Sequence, residues 1–179
     1  RTGAGALIRT DDGEQHFDAV VLACHADQAL ALLADPSPRE RALLGAFRYQ
    51  PNTVTLHTDR RMLPRARRAW AAWNYQVTAE TRTLPTVTYH MNRLQRLDSR
   101  EEFCVTLNRA DEIDPARVIR TLEMSHPVYD SDSVAAQRRL GDIQGANRTW
   151  FASAGWADGF HEDAMETAVA VAAGLGVRW

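Results

Sequence analysis

The stretch FDAVVLAC at 17–24 constrains the fold most, because its Val-Val-Leu run is apolar on both faces of an extended chain. A strand wetted on one side alternates polar and apolar residues. An unbroken apolar run belongs instead to a strand covered on both sides, as in a layered α/β sheet. Such a chain must supply helices to cover the sheet and further strands to flank it. The preceding ALIRTDDGEQ predicts a strand over 6–10 and an Asp-Asp-Gly turn, so 6–10 and 17–24 read as two arms of a hairpin.

The spacing then becomes helical. Ala29, Leu30, Leu32 and Leu33 predict a helix closing at Asp35-Pro36, and a second runs from about Pro38 to Gly45. Residues 53–58, 70–77, 86–92 and 103–107 alternate or are rich in aromatic and β-branched residues, which predicts an antiparallel sheet. DEIDPARVIRTLEMSH at 111–126 reads as a short turn and then a strand, and 133–140 as a helix capped by Ser133 and stopped by Gly141. RTWFASAG brings a last buried strand at 149–153. A loop with Gly155 and Gly159 follows, then a helix opening at His161-Glu162-Asp163. Strands 17–24 and 149–153 share a layered character. They are expected side by side in one sheet, with 1–25 and 146–179 forming one domain and 26–145 an α+β domain inserted between them.

Composition removes several mechanisms. All 21 basic residues are arginine, so there is no Schiff-base lysine, phosphate-loop lysine or lysine base. A net charge of −2 argues against nucleic acid as a partner, and Arg60-Arg61 with Arg65, Arg67 and Arg68 reads as a solvated loop. Cys24 and Cys104 lack metal-ligand spacing and read as reduced, buried thiols, which points to a cytoplasmic setting. The apolar runs fall short of the roughly 20 residues that cross a bilayer, so no transmembrane segment is expected. Arg1 in place of a start methionine leads to the expectation that residues precede it.

The sharpest constellation is the closing strand, loop and helix. A helix start carries unpaired N–H groups and about half a positive charge, which draws phosphate oxygens. Glu162 and Asp163 stand at that start, either capping the helix or accepting hydrogen bonds from ligand hydroxyls. Gly3 and Gly5 make no dinucleotide fingerprint, lacking the strand before, the helix after and the third glycine. His57, His90 and His161 have no metal-site spacing, and Ser153 lacks the nucleophile-elbow context. No metal site is expected. Trp70, Trp73, Tyr75, Tyr89, Trp150 and Trp156 serve as sheet core or as walls against a planar ring; Trp73, Tyr75, Tyr89 and Trp156 are the candidates for a substrate pocket.

Four segments taken together, 17–59, RRAWAAWNYQ at 67–76, TYHMNRLQ at 88–95 and WFASAGWADGFHEDAMETAVAVAAGLG at 150–176, resemble the C-terminal half of flavin-containing amine-oxidoreductase-like proteins, a branch also described as NAD/FAD-binding oxidoreductases. The resemblance implies a two-domain fold in which an antiparallel-sheet substrate domain interrupts an FAD domain. It implies FAD contacts from Ala154, Gly155 and Trp156 and from Gly159, Phe160, His161, Glu162 and Asp163, which match the family's Gly-Phe-His-Glu-Asp run. The Gly-x-Gly-x-x-Gly unit that grips the ADP half in such proteins is not in this sequence. Its place would be taken by an N-terminal FAD-binding segment of the same protein acting as partner. The chain departs from the family pattern at Ser153, Ala164 and Thr167-Ala168, where glycine, glycine and Ser-Gly are common. The missing lysine shifts the expected chemistry from amine oxidation toward desaturation of a small or lipid-like substrate, with no residue singled out as catalytic. The alternative is a non-catalytic binding or structural domain with an incomplete flavin site.

Overall fold

The computed structural model describes residues 1–77 and 84–177. The strands in chain order are β1 (Ala6–Thr10), β2 (Gly13–Phe17), β3 (Val20–Leu22), β4 (Arg48–His57), β5 (Trp73–Tyr75), β6 (Val87–His90), β7 (Cys104–Leu107), β8 (Val118–Val128) and β9 (Thr149–Phe151). The helices are α1 (Ala26–Leu32), α2 (Pro38–Leu44), α3 (Met91–Leu94), α4 (Ser131–Gln137) and α5 (His161–Gly174), with short 3-10 turns between. The chain divides into an outer unit, Arg1–Tyr49 with Pro127–Trp179, and an inner unit, Gln50–His126.

In the outer unit β3 and β9 pair in parallel, Val20 opposite Thr149, Val21 opposite Trp150 and Leu22 opposite Phe151, so the two apolar runs lie side by side as their pattern predicts. Parallel partners need a long crossover, which here is the whole intervening chain. The hairpin differs from expectation. β1 pairs with β2, from Ala6 opposite Phe17 to Thr10 opposite Gly13, and β3 belongs to the other sheet. The two-residue Asp11-Asp12 turn sets this: once Thr10 faces Gly13, β1 is used up at Phe17, and the chain bends at Asp18 before β3 begins. Burial of 17–24 on both faces is also not found, since Val21 is 42% exposed.

The core of this unit gathers Ala26, Ala29 and Leu33 with Leu43, Leu44, Phe47, Ala136, Ile143, Phe151 and Trp156. Helices α1, α2 and α4 therefore belong with β3 and β9. The division falls at 49/50 and 126/127, whereas the sequence places it at 25/26 and 145/146. Their ends follow from capping. Ser37 Oγ accepts the Glu40 amide (3.2 Å), while Glu40 Oε2 accepts the Ser37 amide (2.7 Å), with Pro38 in the first turn of α2. In α4 the cap is Asp130 rather than Ser133. Its Oδ1 accepts the Asp132 and Ser133 amides (3.1 and 2.9 Å), and Ser133 Oγ accepts the Asp130 amide (2.8 Å). A carboxylate reaches two orphan amides at once, so the helix starts three residues earlier than a serine cap would set it, and it ends at Gln137, short of Gly141.

The inner unit is built on one sheet of order β5-β6-β7-β4-β8. The expected strands 53–58, 70–77, 86–92 and 103–107 are all present as parts of it, some shorter: Trp70 follows a 3-10 turn, and α3 begins straight after His90. Pairing sets Asn74 opposite Thr88, Thr88 opposite Thr106 and Thr106 opposite Thr55. Side chains opposite one another share a face, so one polar row crosses these strands and continues through a 3.4 Å contact of Thr55 and Thr121 hydroxyls. Thr88 and Thr106 hydroxyls are 2.9 Å apart, and His57 Nε2 is 2.7 Å from Thr106 Oγ1. Thr55, His57, Thr88 and Thr106 are buried. Hydrogen bonds within the row make that burial tolerable.

Candidate functional site

The same registers put the apolar side chains on the opposite face. Trp73 lies opposite Tyr89, Tyr75 opposite Val87, Tyr89 opposite Val105 and Val105 opposite Leu56. Trp73 and Tyr89 meet edge to face, with centroids 5.6 Å apart. This face is the wetter one: Trp73 is 58% and Tyr75 67% exposed. A sheet with hydroxyls buried and aromatics outward inverts the usual pattern, in which the polar face meets water. Three of the four residues named as pocket walls therefore share one exposed apolar face. The fourth, Trp156, lies in the core of the outer unit, 7% exposed and edge-on to Phe47 at 4.8 Å.

The named cofactor residues run along the loop from β9 to α5. Ser153 Oγ accepts the Gly155 amide (3.2 Å), shaping a 3-10 turn over Ala154–Trp156. Gln137, on α4, holds that turn from the other side, its Nε2 donating to the carbonyls of Gly155 (3.0 Å) and Ala157 (2.7 Å). Gly155 and Trp156 are buried, while Gly159, Phe160, His161 and Glu162 are exposed at the front of α5. Gly159 has φ +96°, and a Cβ there would stand 2.6 Å from the Tyr129 hydroxyl, so only glycine fits. Asp163 Oδ2 accepts the Phe160 amide (2.7 Å), so this carboxylate caps its own helix. Among the described residues the Glu162 side chain has no hydrogen bond or ion pair, and it faces solvent.

Tyr129 is the residue of this region that the sequence reading missed; only its place beside Gly159 reveals it. Burial, and then the carboxylates of Asp163 and Asp158, push its phenol above the usual range. The front of α5 therefore combines open helix amides with several acidic groups, a setting suited to ligand hydroxyls as much as to phosphate.

Two of the departures from the flavoprotein pattern contact each other directly. Thr167 Oγ1 accepts the Ser153 amide (3.2 Å) and donates to the Ala164 carbonyl (2.9 Å). The Thr167 hydroxyl thus joins β9's exit to α5, a link that needs only a backbone amide at 153 and a hydroxyl at 167.

No family model and no curated protein sequence matches the chain. Solved structures do. The "putative protoporphyrinogen oxidase" of Exiguobacterium sp. 255-15 aligns over 98% of this chain and 44% of its own, with a TM-score of 0.64 at 12% identity. A CLA-producing fatty acid isomerase from P. acnes aligns over 97% of this chain and 45% of its own, with a TM-score of 0.61 at 16% identity. The fold is shared with both. The chain spans less than half the length of either protein.

No helix among the described residues is long and apolar enough to cross a membrane. Cys104 is buried, and desolvation, followed by the charges of Glu102 and Asp59, raises its thiol to about 12. That suits an inert core thiol rather than a nucleophile.

Proposed function

We propose that this chain is the C-terminal part of an FAD-dependent oxidoreductase of the amine-oxidase-like kind, acting on a small or lipid-like substrate. The carrying observation is the parallel pairing of β3 with β9, which leads through the Ala154–Trp156 turn into the exposed start of α5. A parallel strand followed by a tight turn and a helix start is the usual way an α/β layer meets a nucleotide. The residues present fit such a ligand in part: Gly159, Phe160 and His161 are exposed at the start of α5, and Glu162 is unengaged among the described residues. In this reading Ala154 to Trp156 shape the loop from within, while Gly159 to Asp163 touch the ribityl and phosphate groups. The ADP half is held by an N-terminal segment of the same protein.

When bound, the flavin supplies the redox chemistry, taking a hydride from the substrate. Trp73, Tyr75 and Tyr89 offer the substrate an apolar face, and an apolar or lipid-like body is what that face accommodates.

Thermal unfolding with FAD, FMN or ADP added to the 179-residue chain tests the reading. FAD and FMN are expected to raise the midpoint and ADP to leave it unchanged, with the FMN shift lost in Glu162→Lys. Indifference to all three ligands favours the alternative, a binding or structural domain without a working flavin site.

A further inference from the structure

The arginine-rich segment after β4 is held in a fixed form. Asp59 is buried, and its carboxylate accepts the Arg61 amide (3.1 Å), the Asp114 amide (3.0 Å) and the Arg61 guanidinium. Met62 and Leu63 are buried, and Trp70 Nε1 donates to the Pro64 carbonyl (2.7 Å), closing the segment into a loop. His90 stands edge-on behind Trp70 at 5.2 Å and fixes its ring.

This loop borders an open cleft of about 630 Å³ lined by Arg60, Arg61, Arg65 and Arg67 together with Leu63, Pro64 and Trp70. Arg61 pairs with Asp59 and Arg67 with Glu102. Arg60 and Arg65 form no ion pair among the described residues. With Arg61 and Arg67 already paired to carboxylates, Arg60 and Arg65 remain as two cations lining the same cleft without a counter-charge among the described residues. The inner unit as a whole carries 12 arginines against 9 acidic residues, +3, whereas the outer unit carries 9 against 14, −5. Anions are thus steered toward the inner unit.

We infer that this cleft binds an organic carboxylate with an apolar body, the carboxylate between Arg60 and Arg65 and the body against Leu63, Pro64 and Trp70. The volume matches a drug-sized ligand and is many times that of a bare phosphate, which would leave the apolar wall uncovered. Guanidinium forks suit the two oxygens of a carboxylate; Arg67 already lies over the Trp70 ring, 5.3 Å from its centroid, and the remainder of the ligand meets what Trp70, Leu63 and Pro64 leave open. The inference rests on the inner unit alone and stands or falls independently of the flavin reading.

Calorimetric titration of the chain with 2-naphthoate, 2-naphthamide and inorganic phosphate tests it. Naphthoate is expected to saturate one site, to weaken with rising salt, and to lose about tenfold in affinity in each of Arg60→Gln and Arg65→Gln, both at exposed positions. Naphthamide and phosphate are expected to bind at least tenfold more weakly. The inference is overturned if naphthoate does not bind or binds both variants as tightly as the parent. It is also overturned if naphthamide matches it, which means apolar adsorption, or if phosphate matches it, which means an ion site only.

Discussion

Trp150 lies across the last turn of α5 so closely that a Cβ at Gly174 would stand 2.2 Å from its Cη2, and a Cβ at Gly145 would stand 2.9 Å from Cζ2 of the same ring. Alanine in a helix is ordinarily better than glycine by about 1 kcal/mol. Here the sign reverses: Gly174→Ala forces the indole to move and is expected to destabilise by about 1–3 kcal/mol in urea unfolding. Gly141→Ala, with nothing within 4 Å of its Cβ, is the matched control and should be near neutral. In a Trp150→Leu background the penalty at 174 should largely vanish.

Gln137 is the strut behind the loop that enters α5. Gln137→Ala frees the Gly155 and Ala157 carbonyls at a cost of about 1–2 kcal/mol. Hydrogen exchange should accelerate at 155–160 while the interior of α5 stays protected. Equal acceleration throughout α5 would show that Gln137 supports the whole helix rather than the loop.

Arg1 and Glu40 form a bidentate pair, Nη1 to Oε1 at 2.7 Å and Nη2 to Oε2 at 3.0 Å, with the carboxylate fully buried. Burial alone would raise the Glu40 carboxyl, but hydrogen bonds from Arg1 and Ser37 outweigh it and hold the group below its ordinary range. A depressed carboxyl contributes stability above its unfolded value of 4.5 and loses it as pH falls below. Arg1→Met strands the charge, and chemical unfolding at neutral pH should show a loss of about 3–5 kcal/mol.

His57 adds a pH dependence of the same sign in a higher window, by a different cause. Its Nδ1 accepts the Asp59 amide (3.0 Å), leaving the proton on Nε2 toward Thr106, and burial lowers its pKa from 6.5. The folded state resists the second proton, so stability should fall as pH drops below 6.5, by up to about 1.4 kcal/mol per pH unit. His57→Gln, which keeps an acceptor for the amide, should flatten the pH–stability profile in that range.

Cys104, with its thiol raised to about 12, should resist iodoacetamide at neutral pH in the folded protein and react only on unfolding. Peptide mapping after timed alkylation in native buffer and in urea gives the comparison.

Where the sequence carried a local mechanism, it was readable. Pro38 and Gly45 announced α2 because a proline fits a helix's first turn and a glycine its end, while the reciprocal Ser37–Glu40 bonds appear only in the fold. The paired runs 20–22 and 149–151 announced each other through their apolar character. Two choices needed tertiary information. The hairpin partner of β1 depended on the register set by its turn, and Asp130 and Ser133 are both good caps whose roles only the three-dimensional bonds separate. The inverted sheet was beyond reach for a different reason. Alternation in 53–58 shows that two faces exist, but hydroxyls that satisfy one another allow the threonine face to be the buried one. In the same way, Trp156 and Trp73 look alike in sequence, yet one fills a core and the other stands in water. The cleft residues Arg60 and Arg65 resembled a solvated loop because the anchoring groups, Asp59 and the Pro64 carbonyl, reveal their role only in the folded chain.

The division at 49/50 and 126/127 also sets an order of events during synthesis. The inner unit is one unbroken stretch, and its sheet has every strand once Val128, the end of β8, has left the ribosome. β3, α1 and α2 emerge earlier, yet must wait for Thr149–Phe151 before their sheet can close. In a nascent chain β3 therefore lacks its β9 partner while the inner sheet is already complete, and pausing translation between 128 and 149 should make the chain a substrate for chaperones.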